Sequence, residues 1–123
     1  MNTQQVANRL VELCRRGEFT KAQEELYAAE AVSLEPEGAP SGALGNARGL
    51  DAIREKGKAF DQTYETIHGI TVSEPLVAGE FFSLVMGLDA TWKQGGRYAM
   101  EEICVYRVRD GKIVLEQFFY SVG

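Results

Sequence analysis

The sequence pattern places one carboxylate, Glu102, in the interior of the fold, where it could act as an acid–base group. Residues 97–109 alternate, with three arginines among the odd positions, whereas Glu102 shares the even positions with Met100 and Cys104. Because a strand points successive side chains to opposite faces, the arginines place the odd positions in solvent and Glu102 inside. A carboxylate that loses its hydration requires a partner or takes a raised pKa. Unless the register of this strand differs, Glu102 is either a ligand-facing acid–base group or a structural residue held by an arginine or a helix-end amide.

The last strand, predicted over 112–121, supplies a second polar candidate. Lys112 and Glu116 occupy its even positions, which indicates that the odd positions face inward. On that assignment Gln117 joins Glu102 in the interior.

Further candidates are scattered along the chain. His68, the only histidine, begins the first long strand and is a candidate base, although a histidine beside a glycine is more often structural. Glu35 precedes a proline and lies either at the pocket mouth or in solvent. Tyr27 and Trp92 are better interpreted as core or pocket-wall residues than as residues that stack specifically on a ligand. The predicted pocket residues are Tyr27, Glu35, Trp92, Cys104, Tyr106 and Gln117, with Glu102 and His68 as candidate catalytic groups.

The sequence shows no pattern typical of nucleic-acid binding, phosphate binding, nucleophilic catalysis or metal binding. The balance of 13 basic and 18 acidic residues gives a net charge of −5, which argues against nucleic acid as a partner. The glycines at 42, 45 and 49 lie in an irregular stretch rather than between a strand and a helix, so they do not indicate a phosphate loop. There is no nucleophile elbow and no spaced set of metal ligands, so we expect no cofactor and no metal.

The cellular compartment follows by elimination. The N-terminal residues lack the basic-then-apolar order of a signal peptide, and no apolar stretch is long enough to cross a bilayer. The two cysteines have no disulfide-framework spacing. We therefore expect a cytoplasmic protein with reduced thiols and no membrane partner.

The elements that must position these residues change character along the chain. Apolar residues recur at helical spacing in the first part and alternate after residue 66. The predicted helices cover residues 3–16, 18–29 and 50–60, a short strand covers 31–35, a loop covers 36–49, and long strands cover 66–78, 80–93, 97–109 and 112–121. Helices followed by a strand meander predict a single α+β domain, 1–123, in which three helices cover a four- to six-stranded antiparallel sheet.

The outer face of that sheet carries more apolar side chains than a solvated face normally does. We expect a homodimer through this face, formed by Ile103, Val105, Val114, Phe118 and Tyr120.

Several segments, in order along nearly the whole chain, resemble a known family. These are Leu26–Val32 before a strand that ends in Glu35 and Pro36, Gly49–Ile53 at the start of the third helix, and Val105–Ile113 in the terminal hairpin. They resemble the SnoaL-like group of the nuclear transport factor 2-like superfamily. The resemblance implies a cone-shaped α+β barrel with a curved antiparallel or mixed sheet, a pocket between sheet and helices, and frequent homodimers.

Relatives in that superfamily include ketosteroid isomerase, scytalone dehydratase, limonene-epoxide hydrolase, polyketide cyclases and many non-catalytic binding modules, so the fold does not decide the function. Polyketide cyclases of the group tend to end the last strand in an acidic residue, where this sequence has Ser121. The function predicted first is a dimeric, non-catalytic module for a small apolar or amphipathic molecule, because no two inward titratable groups can be placed side by side. The alternative is an isomerase, dehydratase or polyketide cyclase with Glu102 as general acid or base.

Overall fold

The computed structural model describes residues 1–38 and 45–121. Its helices are α1 (Thr3–Arg15), α2 (Phe19–Leu26) and α3 (Leu50–Asp61). Its strands are β1 (Tyr27–Leu34), β2 (Ala47–Arg48), β3 (Tyr64–Val72), β4 (Leu76–Ala78), β5 (Phe81–Trp92), β6 (Gly96–Arg109) and β7 (Lys112–Phe119). The predicted α+β class is confirmed, although β1 and β2 precede α3, so the three helices are not consecutive.

The helical hairpin at the start of the chain has clear local causes. Asn2 and Gln5 form a capping box at the beginning of α1, and Gly17, with φ of 73°, allows the tight turn into α2. The prediction for α2 extended to residue 29, but Tyr27 is the first residue of β1 and pairs with Ile113 in β7. Tertiary strand pairing therefore overrides the helical propensity of the segment that follows Leu26.

Within the described residues the sheet has seven strands in the order β2-β1-β7-β6-β5-β3, with β4 also paired to β5. The prediction of a four- to six-stranded, wholly antiparallel sheet is therefore wrong, because β1 adds to the meander as a parallel neighbour of β7 and the short strands β2 and β4 extend it. Strands β1 and β7 are parallel and the remaining pairs are antiparallel. The predicted strand 66–78 is divided into β3 and β4, and both pair with β5. Strand β2 lies in a segment predicted to be a loop, of which residues 39–44, including Gly42, fall outside the described residues.

The terminal hairpin forms where the sequence predicts it. Asp110 and Gly111 have φ of 53° and 75°, the left-handed values that a tight two-residue turn requires.

A β-bulge in β7 reverses the faces predicted for most of that strand. Val108 of β6 pairs with Ile113, whereas Arg107 pairs with Leu115, so β7 contains one extra residue between them. An extra residue moves every later side chain to the opposite face. The prediction that the odd positions of β7 face inward therefore holds for Ile113 and is wrong beyond the bulge.

The consequence of the bulge is an exchange of polar residues across the sheet. Glu116 pairs with Tyr106 and faces the helices, whereas Gln117 pairs with Val105 and lies on the convex face. Phe118 and Tyr120, predicted on the outer face, line the interior instead.

The helices pack against the concave face of the sheet and enclose the core. Its fully buried side chains include Val6, Leu10, Leu13, Leu26, Ile53, Phe82 and Ile113. The convex face keeps large apolar side chains exposed, among them Phe81, Val85, Ile103 and Phe119. Within residues 1–38 and 45–121, no helix combines the length and the apolar content that crossing a bilayer requires.

Candidate functional site

A cavity of about 460 Å³ lies between the concave face of the sheet and the three helices. Apolar side chains form most of its wall, with Leu10 from α1, Phe19 from α2, Ile53 from α3, and Met86 and Met100 from the sheet. A space of this size and composition is typical of sites for small organic molecules.

Glu102 lines this cavity from the middle of β6, opposite Met86 of β5. Its carboxylate accepts a hydrogen bond from Cys104 Sγ at 3.7 Å. Within the described residues it has no cationic partner within 4 Å, so the arginine considered in the sequence analysis is not found there. Burial raises the pKa of Glu102 to about 7, and the negative charges of Glu35 and Glu116 act in the same direction.

Glu116, in β7, is a buried carboxylate that faces the cavity, and its residue is 6% exposed. Both oxygens accept hydrogen bonds, one from the hydroxyl of Tyr27 and the other from Ser33 Oγ at 2.7 Å. Burial raises the pKa of Glu116, while the bonds from Tyr27 and Ser33 oppose that rise. Among the described residues, Glu116 thus has two hydroxyl donors, whereas Glu102 has a single, weak thiol donor.

Lys56 of α3 connects Ser33, which donates to Glu116, with a third carboxylate, that of Glu35. Its Nζ donates to Ser33 Oγ at 2.8 Å and lies 2.5 Å from Glu35 Oε1. The other oxygen of Glu35 accepts a hydrogen bond from the Tyr120 hydroxyl at 2.9 Å. The side chains of Lys56 and Glu35 are only 11% and 5% exposed, so this ion pair is shielded from solvent. The resulting series, which we call the buried polar chain, comprises Tyr27, Glu116, Ser33, Lys56, Glu35 and Tyr120.

Charge within the cavity favours retention of a proton. Three of the lining carboxylates, Glu35, Glu102 and Glu116, lie near the buried ammonium group of Lys56, and the lining also includes Glu18, Arg54, Lys58 and Asp61. Burial raises the pKa of both Glu102 and Glu116, and the negative charge of Glu35 acts in the same direction on each. A carboxyl group that titrates near neutral pH can donate or accept a proton at physiological pH. Within residues 1–38 and 45–121, no group of three or more His, Cys, Asp or Glu residues is arranged to hold a metal ion.

The model of the SnoaL-like domain family matches residues 1–120 of this chain. The chain belongs to that family. A search of curated proteins found no match.

Solved structures agree with the family. A Mesorhizobium loti protein, provisionally named a SnoaL-like polyketide cyclase and also designated a carbohydrate phosphatase, is 32% identical with a TM-score of 0.88, and the match covers 98% of this chain and all of that one. A Xanthomonas campestris protein of unknown function with a cystatin-like fold is 18% identical, with a TM-score of 0.78 and coverage of 99% and 92%. A Catenulispora acidiphila protein with a ketosteroid isomerase-like fold, in complex with trimethylamine, is 16% identical, with a TM-score of 0.69 and coverage of 98% and 88%. The last two show the fold that this SnoaL-like domain shares with them.

Four of the residues predicted for the site line the cavity of this SnoaL-like domain: Glu102, Tyr27, Glu35 and Tyr106. Tyr106 stacks on Phe82 with ring centroids 4.7 Å apart, and burial raises its pKa. Cys104 does not line the cavity. It is fully buried, and its thiol donates a hydrogen bond to the carboxylate of Glu102.

Three other predicted residues lie elsewhere. His68 is exposed, and its Nε2 is 2.7 Å from Thr91 Oγ1, outside the lining. Trp92 is buried behind the wall, where its ring stacks on Tyr98 and its Nε1 donates to the Tyr98 carbonyl at 3.0 Å. Gln117 lies on the convex face because of the bulge in β7.

Sequence reasoning missed Glu116, Ser33, Lys56 and Tyr120. Glu116 and Tyr120 were assigned to the wrong face because the bulge leaves no mark in the alternation. Lys56 did carry a signal, since it lies three residues after Ile53 and four before Phe60, on the apolar stripe of α3. A lysine on an inward-facing stripe indicates a buried carboxylate partner.

Proposed function

We propose that this SnoaL-like domain binds a small, largely apolar molecule in its cavity and transfers a proton to or from it through Glu102. The observation that carries the proposal is a carboxyl group that faces an apolar cavity, has no cationic partner among the described residues and has a pKa of about 7. General acids and bases work best when their pKa lies close to the working pH.

The reaction that this geometry supports is proton transfer next to a carbonyl group. Ionised Glu102 would remove a proton from a carbon adjacent to a carbonyl, and the substrate would retain the electron pair as an enolate. The Glu102 carboxylic acid so formed would return the proton to the same or another carbon of the enolate. Return of this proton to another carbon is an isomerisation and requires no further reactant. Exchange at the same carbon requires in addition that solvent water replace the proton of the Glu102 carboxylic acid before it is returned.

The buried polar chain would keep Glu102 in its working range. Lys56 compensates the charge of Glu35, and Tyr27 and Ser33 stabilise Glu116 through hydrogen bonds. Burial raises the pKa of Glu102, and the negative charges of Glu35 and Glu116 raise it further. Glu102 acts on the substrate in this proposal, and the chain acts as its electrostatic support.

The relative from Mesorhizobium loti, whose name refers to a polyketide cyclase, is compatible with acid–base chemistry on a small organic molecule. The last described residue here, Ser121, is exposed and lies beyond β7, so a polyketide cyclase assignment lacks the acidic residue expected at that end. Our proposal is therefore limited to proton transfer.

Binding without catalysis, the function predicted first from the sequence, is the second candidate. It is favoured by the hydroxyls of Tyr27 and Tyr120, which donate to Glu116 and Glu35 rather than toward Glu102. An enzyme of this type normally places a second polar group where the substrate oxygen would lie.

We also propose a homodimer through the convex face. Val85, Ile103 and Phe119 are direct neighbours across β5, β6 and β7, and each is at least 39% exposed. Together with Phe81 they form what we call the convex apolar strip. The convex apolar strip shares Ile103 with the interface predicted from the sequence. It does not include Phe118 and Tyr120, because these two residues line the cavity.

The catalytic proposal can be tested by exchange of carbon-bound hydrogen. We would incubate the protein with cyclohexanone, tetralone or decalone in heavy water and follow deuterium incorporation by mass spectrometry. Catalysed exchange should rise with pH to a plateau above about 7 as Glu102 ionises, and Glu102→Gln should slow it by about 100-fold or more.

His68→Gln is the matched control, since His68 lies outside the cavity lining and the substitution should leave exchange unchanged. Exchange that does not depend on Glu102 would overturn the catalytic proposal. Binding of these ketones without any catalysed exchange would favour the second candidate.

A further inference from the structure

The opening of the cavity lies between α2 and one flank of α3. Among the lining residues, Thr20 of α2 and both Lys58 and Asp61 of α3 are exposed. Arg54, Lys58 and Asp61 follow one another at spacings of four and three residues, so they form one side of α3 next to its inward stripe. Arg54 is half-buried, which places it between the opening and the interior.

Arg54 differs from the other cations of α3 in having no partner among residues 1–38 and 45–121. Lys56 is paired with Glu35 at 2.5 Å, and Lys58 with Glu55 at 3.2 Å. Arg54 forms no ion pair within 4 Å in the part of the chain that the structure describes, and its Nε is buried without a hydrogen bond there. Buried donors in folded proteins are nearly always bonded, so an unbonded guanidinium nitrogen beside a cavity indicates a missing acceptor.

The missing acceptor must suit the guanidinium group of Arg54, which keeps its positive charge. A guanidinium group remains protonated in proteins, and its planar set of donors matches two oxygens of one anion. A neutral carbonyl would satisfy one donor and leave the charge uncompensated. An anionic group would satisfy both requirements.

We propose that Arg54 binds the acidic end of the ligand, and that the ligand is an amphipathic organic acid with an apolar body. This inference rests on the proposed function only in taking the cavity as the ligand site. With the anion held by Arg54, the body of the ligand extends inward along Phe19, Ile53 and Phe60 toward Glu102.

Two acidic residues near the opening must be compatible with such a ligand. Asp61 accepts a hydrogen bond from the Tyr64 hydroxyl at 2.9 Å. Glu18 lies 3.9 Å from a guanidinium nitrogen of Arg16, and its Oε2 is buried without a hydrogen bond among the described residues. The charge of Glu18 is therefore offset only by this one ion pair. Removal of the Glu18 charge should leave binding of an acid unchanged or make it stronger.

A matched pair of fluorescent probes tests the inference directly. Anilinonaphthalene sulfonate and N-phenylnaphthylamine share an aromatic body, and only the first carries an anionic group. We expect Arg54→Met to weaken binding of the sulfonate by about tenfold or more, the effect of losing one charge-assisted contact, and to leave the neutral probe unaffected. Lys58→Gln, which removes an exposed cation already paired with Glu55, should change neither affinity by more than about twofold.

Each outcome has a definite meaning. Equal weakening of both probes by Arg54→Met would show a distorted cavity, and no weakening of the sulfonate would show that Arg54 does not bind the anion; either result overturns the inference. Wild-type protein that binds neither probe would overturn it as well. The catalytic proposal is tested separately. Exchange of the ketones reports on Glu102, whereas the difference between the two probes reports on Arg54. Either test can therefore fail without changing the result of the other.

Discussion

At the scale of single residues, the site depends on how differently two neighbouring carboxylates are compensated. Glu116 is more deeply buried than Glu102, yet it accepts two hydrogen bonds from hydroxyl groups. In the part of the chain that the structure describes, Glu102 accepts a single hydrogen bond, from the Cys104 thiol at 3.7 Å. Burial raises the pKa of both groups, and the two hydroxyl hydrogen bonds oppose that rise in Glu116. The pKa of Glu102 is raised to about 7, so its ionisation should change around neutral pH.

This raised pKa makes the stability contributed by Glu102 depend on pH. Its pKa is 4.5 in the unfolded reference and about 7 in the fold, so the folded protein binds the proton more tightly between these values. The contribution is therefore fully present below pH 4.5 and is lost as the pH rises to about 7. We expect the free energy of unfolding of the wild type to fall across this window, relative to Glu102→Gln, by up to about 3 kcal/mol. Denaturant melts of both proteins at the two ends of the window measure this difference, and parallel pH profiles would contradict the prediction.

At the scale of elements, local patterns predicted some features and long-range pairing determined the rest. Helices α1 and α3 and strands β5 and β6 were predicted within a few residues, because periodicity and turn residues act locally. The start of β1 at Tyr27 and the short strand β2 depend on partners far along the chain. Neither can be inferred from its own segment.

The candidate site shows the same division. Glu102 could be predicted because the arginines of β6 mark the solvent face of a regular strand. Glu116 could not, because the extra residue between Ile113 and Leu115 is detectable only when β7 is paired with β6. One bulge therefore separates the pocket inferred from the sequence, which contained Gln117, from the pocket of the structure, which contains Glu116.

Gly57 provides a prediction at the element scale. It lies inside α3 and lines the cavity, and a methyl group built on it would meet no atom within 4 Å. Glycine is less favourable than alanine in a helix interior by about 1 kcal/mol. We expect Gly57→Ala to raise the free energy of unfolding by about 0.5–1 kcal/mol, measured by chemical denaturation.

The matched control for this substitution is Gly17→Ala. Gly17 has φ of 73°, a value that alanine adopts only with strain, so the same change there should destabilise the protein. Destabilisation by Gly57→Ala would mean that the space beside Gly57 is needed for the packing of the chain itself.

At the scale of the whole molecule, the sheet separates the largely apolar cavity, with its few buried polar groups, from a convex face that exposes large apolar side chains. The convex apolar strip of Phe81, Val85, Ile103 and Phe119 lies on the face opposite the helices. Exposed apolar surface arranged across adjacent strands is typical of an interface between subunits.

The dimer prediction follows from this arrangement. Ile103 is 50% exposed at the centre of the strip, so Ile103→Lys should place a charge in the interface and give monomers with unchanged circular dichroism. Asn8→Lys, on the exposed side of α1, adds the same charge away from the sheet and should leave the dimer intact. Light scattering at micromolar concentration distinguishes the two. A monomeric wild type would contradict the prediction.

The central claim, that Glu102 is an acid–base group poised near neutral pH inside the cavity, is tested most directly by its titration. Carboxyl-carbon NMR of the wild-type protein, with the Glu102 resonance assigned by its absence in Glu102→Gln, follows the ionisation of this one group. We predict a midpoint at about pH 7, because burial and the charges of Glu35 and Glu116 oppose ionisation. A midpoint at or below the ordinary value of 4.5 would contradict the claim, since it would show a solvated or strongly compensated carboxylate.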